Sequence, residues 1–363
     1  MAFMGGKRTL RIRCRRASFA GMTQLSRRQF SAAAASSFLT LGTSPIAAAS
    51  SSISAASLEN FRRRAFELGV RSLVVANGRR TLLEAGPVAE VSRIASIRKS
   101  FVSALIGIAA AEGRIKLDST IGELGIDDYQ SLTAVEKTAT VRHLLQSRSG
   151  VYLPTAAESP AMQAARPARG SHAPGTFWYY NNWDFNVLGE VYQRATNEDL
   201  FSAIEHRIVR PLGLRDFQPL RDLKWGYDET NPRFPQYAMW MSARDLVLFG
   251  QLYLNNGQWK GAQMIPLSWV RESTAAQSTT GREGWGSGYG YMWWVATTKG
   301  RASTSGLPAG AFTAAGNGGR YITVFPNHDL VIAFQPHEVR GQPQAEIYTD
   351  KSAYTKLLSL LFS

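Results

Sequence analysis

Apolar positions change their period several times along the chain, and each change marks an element. Leu58, Phe61, Ala65 and Phe66 recur at helical spacing with arginines opposite, which predicts a helix over 58–68 after a Ser/Ala linker at 50–56. A β-prone run at 70–76, the pair Asn77-Gly78 and a second run at 79–85 predict a hairpin, because Asn-Gly supplies the positive φ angles of a tight primed turn. The run 100–112 is apolar almost all round and reads as a buried helix, with Gly113 where a C-terminal glycine cap falls. From there to about 270 the pattern is mostly helical. Helices are predicted over 140–147, ending near Gly150, over 188–195 and 200–209, and over 242–254 with Ser242 as its cap. The polar, Pro- and Ala-rich stretch 154–173 reads as a loop at the surface or on the rim of a site. Strands return at 289–296, 311–315, 321–325 and 330–334, the last two joined by the turn residues 326–329, and a helix over 348–362 closes the chain. The fold class expected is α+β: an antiparallel sheet flanked by helices, built from 57–95 and 285–362, with a mainly helical lobe, 96–284, inserted between.

Composition alters this picture only at the amino end. The chain has 363 residues, 44% hydrophobic and 19% charged, which is ordinary for a globular protein. Its net charge of +14 invites a nucleic-acid reading. Eight of the basic residues, however, lie within 1–49, where there is no acid, and the rest of the chain carries only +6 with both signs interspersed. No nucleic-acid partner is expected. Ser26-Arg27-Arg28-Gln29-Phe30 resembles a twin-arginine export signal, followed by a weakly apolar Ala/Ser stretch and a small-residue cleavage site at Ala47-Ala48-Ala49. That stretch is too short and too polar for a stable membrane span. The expected location is the periplasm or beyond, with Met1 or Met22 as the start. The single cysteine, Cys14, lies in the leader, so disulfides, cysteine catalysis and cysteine–metal sites are excluded from the remainder. No metal or cofactor is expected, and oligomeric state is left open.

Candidate chemistry centres on Ser96-Ile97-Arg98-Lys99, just before the apolar helix. A serine and a lysine three apart at a helix start lie on one face, about one turn from each other. The serine sits over N–H groups and the positive end of the helix dipole. Burial would lower the lysine pKa and let it act as a base, which is what an activated serine nucleophile needs. The bland alternative is a capping serine with an exposed lysine. Tyr180-Asn181-Asn182 offers a phenol that can share a proton with the lysine, or simply aromatic packing and an Asn cap. Asn317-Gly318-Gly319-Arg320 opens a strand; it can bring an edge N–H beside that of Ser96, or be only a turn.

Taken together, in that order, the three stretches resemble the penicillin-recognising serine hydrolases. That superfamily comprises serine β-lactamases, D-Ala-D-Ala carboxypeptidases, and esterase and 6-aminohexanoate-dimer hydrolase relatives. The context of Pro174-Gly-Thr before Tyr180, Val141-Arg-His-Leu-Leu and Met241-Ser-Ala-Arg-Asp245 is similar to the class C-type branch. The resemblance covers roughly 57–362 and implies that superfamily's fold. It also implies Ser96 as the acylated nucleophile, Lys99 and Tyr180 as bases, and Asn182 orienting the substrate. Asn317, Gly318, Gly319 and Arg320 would line the site, with the N–H groups of Ser96 and Arg320 binding the oxyanion. Asn317 stands where β-lactam-binding members carry lysine or histidine, and an amide pairs less well with a carboxylate. The implied activity is therefore hydrolysis of a small or oligomeric ester or amide. The alternatives are a β-lactamase or carboxypeptidase proper, and a non-catalytic binder or sensor of cell-wall peptides. Trp178, Trp183 and Trp285 are candidates for an apolar cleft wall.

Overall fold

A computed structural model describes residues 53–362, apart from 79, 228–231, 283–285, 300–301, 304–306 and 337–350. The leader, Cys14 and Trp285 thus lie outside the described residues. Helix α1 spans Ala55–Glu67 and starts inside the expected linker, because the Ser54 hydroxyl accepts from the Ser57 N–H and caps it. Strands β1 (Val70–Asn77) and β2 (Arg80–Ala85) form the predicted hairpin. Asn77 pairs with Arg80, so the turn sits one residue later than the Asn-Gly reading, with Gly78 at φ 54°. After β3 (Ser92–Arg93) comes α2, Arg98–Ala111, with Gly113 left-handed just beyond it as expected of a glycine cap.

Several elements differ from the sequence reading. The loop 154–173 contains a short helix, Pro160–Ala165, capped by Ser159 with proline in its first turn. Helix α3 runs Asn182–Thr196 and begins six residues early, since Asn181 accepts from the Trp183 N–H and caps it. The helix expected over 200–209 is α-helical only for Leu200–Ile204 and widens to a π-helix over Glu205–Val209. The mostly helical stretch also contains β4 (Leu223–Gly226) and β5 (Gln236–Met241), which pair with β3 in a three-stranded sheet. Then follow α4 (Ala243–Leu254), capped by Ser242, and a two-residue strand β6 (Ser278–Thr279). The run 289–296 is broken into β7 (Gly288–Tyr289) and β8 (Trp294–Val295), with Met292 left-handed at φ 61° in the turn between them. Strands β9 (Phe312–Gly316), β10 (Arg320–Phe325) and β11 (Leu330–Pro336) fall where expected, and helix α5 spans Lys351–Ser359.

The main sheet is antiparallel, in the order β2-β1-β11-β10-β9-β8-β7-β6. Its central strands are near-continuous apolar runs because both faces are covered. Leu73, Val75, Ile332 and Phe334 face α1 and α5, with Phe61, Tyr354 and Leu357 opposite them. Val74, Ala76, Ile322, Val324, Val331 and Ala333 face the other layer, where α4 and α2 supply Phe249, Leu252 and Phe101. Phe101 stacks on Phe249 with ring centroids 3.7 Å apart, which seats α2 on α4. The fold is α+β, and α2 starts beside the end of the sheet where β8 and β9 stop.

Gly250 permits the helix–sheet contact: a Cβ there would lie 2.4 Å from Val331 Cγ1 and 2.8 Å from Ile322 Cγ2. Gly250→Ala therefore loses about 1–3 kcal/mol through overpacking, against a helix-propensity gain of about 1 kcal/mol. Urea unfolding of the variant is expected to show a lower midpoint; one equal to or above wild type contradicts this packing.

Candidate active site

Ser96 lies on a 3-10 turn, Ala95–Ile97, that runs directly into α2. Ala95, immediately before it, is held left-handed at φ 48°. This turn is pressed against the sheet at Gly316, where a Cβ would lie 2.5 Å from Ile94 O. One turn along, Lys99 is 2% exposed. Its Nζ lies 3.1 Å from Ser96 Oγ, 2.7 Å from Tyr180 Oη and 2.6 Å from Asn182 Oδ1. The same nitrogen sits 4.3 Å from the ring centres of both Tyr180 and Phe185. Burial, and secondarily the charge of Arg98, push the Lys99 pKa well below the usual lysine range.

Tyr180 is wedged into an aromatic wall, stacked on Trp294 at 5.3 Å with Phe185 at 5.0 Å and Tyr289 at 6.1 Å. Burial raises its pKa, opposed by a hydrogen bond to Ser96 and by the charges of Arg98 and Arg282. Ser147 clamps both sides of this residue: its hydroxyl donates to Tyr179 O at 2.6 Å and accepts from the Asn181 N–H at 2.9 Å. Asn182, expected to meet substrate, has its amide engaged at both ends, since Nδ2 donates to Ala157 O at 2.6 Å while Oδ1 accepts from Lys99. It ties Lys99 to the 154–173 loop.

Asn181 does more than the capping that the sequence reading offered for an Asn here. Besides capping α3, its Nδ2 donates to Val151 O at 2.7 Å and to Asp184 at 2.8 Å. Asp184 is fully buried, and its remaining hydrogen bonds come from Ser149. Asn followed three residues later by Asp, ahead of an apolar helix, is the signal that could have revealed this knot.

Asn317, Gly318 and Gly319 form the turn between β9 and β10, with both glycines left-handed. The Arg320 guanidinium folds back to donate to Asn317 O at 2.7 Å. The Arg320 backbone pairs with Gly316. Residues of an antiparallel strand alternate the side to which they present N–H and C=O. Ala311 O accepts from the Ala296 N–H, so Thr313, Ala315 and Asn317 face the β8 side, while Gly316 faces β10. Strand β8 begins at Trp294, so beyond Thr313 that side of β9 has no paired strand among the described residues. Of the tryptophans, Trp178 packs against Trp294 and Tyr289. Trp183 instead is wholly buried and donates to Asp128.

The family model described as Beta-lactamase matches residues 59–349. This chain belongs to the beta-lactamase family. An uncharacterised protein of Alkalihalophilus pseudofirmus is 23% identical over 273 residues, covering 70% of this chain and 76% of that protein. Esterase EstB of Burkholderia gladioli is 29% identical over 147 residues, 34% of this chain and 37% of the esterase. Among solved structures, the octameric penicillin-binding protein homologue from Pyrococcus abyssi superposes with a TM-score of 0.61 at 17% identity, covering 85% of this chain and 77% of that one. The D-stereospecific amidohydrolase from Streptomyces gives 0.57 at 21%, covering 85% and 98%. The fold is that of the serine β-lactamases and penicillin-binding proteins.

Asn181→Ala removes the cap on α3 and leaves Val151 O buried without its donor. The expected cost is about 1–3 kcal/mol in urea or thermal unfolding. A change within about 0.5 kcal/mol, the range of a surface substitution, would show that the knot contributes nothing.

Proposed function

We propose that this chain is a serine hydrolase that cleaves an ester or amide bond through an acyl-enzyme on Ser96. One observation carries the reading: a hydroxyl, a buried amine and a phenol lie within hydrogen-bond reach of one another, and no carboxylate is among the partners of the amine. A lysine in that setting sheds its proton readily. As free amine, Lys99 takes the Ser96 proton while Oγ attacks the substrate carbonyl carbon. The proton then passes through Tyr180 Oη to the leaving alcohol or amine as the scissile bond breaks. A water molecule, deprotonated by the same pair, attacks the acyl carbon and frees Ser96 with release of the acid.

The developing oxyanion needs two N–H donors near Ser96. Ser96 supplies one. Strand alternation favours Asn317 over Arg320 for the other, because the Arg320 N–H is turned into the ladder with Gly316. The names of two similar proteins, an esterase and a D-stereospecific amidohydrolase, support both bond types as substrates. The amide at Asn317 supports a substrate that does not depend on a carboxylate at that point.

The decisive assay uses p-nitrophenyl esters and a fluorescent phosphonate. Wild type is expected to turn over the esters and to be labelled on Ser96, and Ser96→Ala to lose both by at least about a thousandfold. Absence of turnover and labelling in wild type would favour a binder on the same fold. The segment around Arg27 and Arg28 supports export through a twin-arginine route. A reporter fused after residue 49 should reach the periplasm, and Arg27→Lys with Arg28→Lys should strand it in the cytoplasm; equal export of both fusions ends that assignment.

A further inference from the structure

Arg98 stands between the nucleophile and the base in sequence and has no part in the reaction above. It is 3% exposed, at the first turn of α2. One terminal nitrogen donates to Ala95 O at 3.2 Å, and the guanidinium lies 5.0 Å over the Tyr237 ring. Its Nε and other terminal nitrogen are buried without a hydrogen-bond partner. Tyr237 donates to Phe185 O at 2.9 Å, and Phe185 is one of the two rings beneath Lys99 Nζ. Arg98 and Lys99 are thus two buried cations on one connected aromatic floor.

Among the described residues no carboxylate neutralises either of them. The groups facing Arg98 are Tyr237 on β5, Tyr180 and another cation, Arg93 on β3. Those facing Lys99 are Ser96, Tyr180, Asn182, Phe185 and Arg98 itself. Arg282 adds further positive charge acting on Tyr180. The nearby acid on α3, Asp184, is turned toward Ser149 and Asn181, and burial pushes its own pKa well up. Two adjacent buried charges of one sign repel strongly at low dielectric. A guanidinium cannot relieve that repulsion by losing its proton, whereas an ammonium can.

We propose that Arg98 is a positioning residue whose permanent charge holds Lys99 as the free amine and so sets the pH at which the nucleophile can be activated. This rests on the hydrolase reading for its catalytic meaning, but not for its electrostatics. Burial is the larger cause of the lowered Lys99 pKa and Arg98 the second. Removing Arg98 therefore raises the Lys99 pKa without restoring it to the value in water. Lys99 must be unprotonated to act, so the acid limb of the kcat/KM profile moves to higher pH. The Tyr180 pKa moves the same way, since Arg98 holds it down.

The test compares wild type with Arg98→Met and Arg98→Gln, each confirmed folded by thermal unfolding. Two readouts are used: the pH profile of p-nitrophenyl ester hydrolysis, and ¹⁵N-lysine NMR titration of Lys99 assigned with Lys99→Arg. Both variants are expected to shift the acid limb and the Lys99 titration upward by roughly one pH unit, the lower end of what one nearby charge produces. If Arg98 merely packs, the rate falls while limb and titration stay put, and that result overturns the proposal. If wild type turns over no ester yet Lys99 titrates higher in the variants, the electrostatic assignment stands and the hydrolase reading fails. Because the glutamine variant keeps a donor for Ala95 O, it tests charge alone should the methionine variant not fold.

Discussion

A lysine amine in the protein interior, with no carboxylate opposite it among the described residues, is the constraint around which this structure is built. An isolated charge of that kind is strongly disfavoured unless it is neutralised or fully hydrogen-bonded. Lys99 is surrounded by oxygens that are good partners for an amine but carry no formal charge, one each from Ser96, Tyr180 and Asn182. Those oxygens come from two different helix starts, α2 and α3. Each start is held in turn by a neighbour: Gly316 against the Ser96 turn, and the Asn181–Asp184–Ser149 knot beneath Tyr180. The sheet and its two helical layers supply the rigidity that lets such a site persist.

Backbone conformation reveals where that rigidity is applied. Non-glycine residues in the left-handed region are uncommon and cost on the order of 1–3 kcal/mol each. Four of those among the described residues sit around this site: Ala95, Ser147, Ala157 and Met292. Ala95 precedes Ser96, and Ser147 clamps the flanks of Tyr180. Ala157 O receives the Asn182 amide, and Met292 O receives the hydroxyl of Ser100 on α2 at 2.8 Å. Ala157 holds a member of the cluster directly, and the other three bond residues that adjoin its members in the chain.

The sequence was informative where the physics is local or the signal is long. Ser96 and Lys99 meet because helical spacing alone brings them together, and β10 and β11 were visible as unbroken apolar runs buried on both faces. In Tyr180-Asn181-Asn182 the structure makes Asn181 a helix cap and places Tyr180 and Asn182 beside the lysine. The illegible parts depended on distant partners. Strands β4 and β5 are short and take their meaning from β3, which lies far away in the chain. The break at Met292 in an otherwise strand-like aromatic run lies where Ser100 on α2 donates to Met292 O. Arg98 was hidden because a charged residue in the first turn of a helix ordinarily points to solvent. The side to which Asn317 and Arg320 present their backbones follows from strand register, which spacing does not encode.

Gly316 has one more consequence. Where the strand meets the serine turn, contact is between main chain and main chain, and a hydrogen atom occupies the place of a side chain. The gap between the serine and the strand edge is therefore indifferent to which side chains line the surrounding walls. Side chains on those walls can be exchanged without resetting the spacing between the serine turn and the strand. A scaffold of this kind separates choice of substrate from bond cleavage, and lets the two diversify independently.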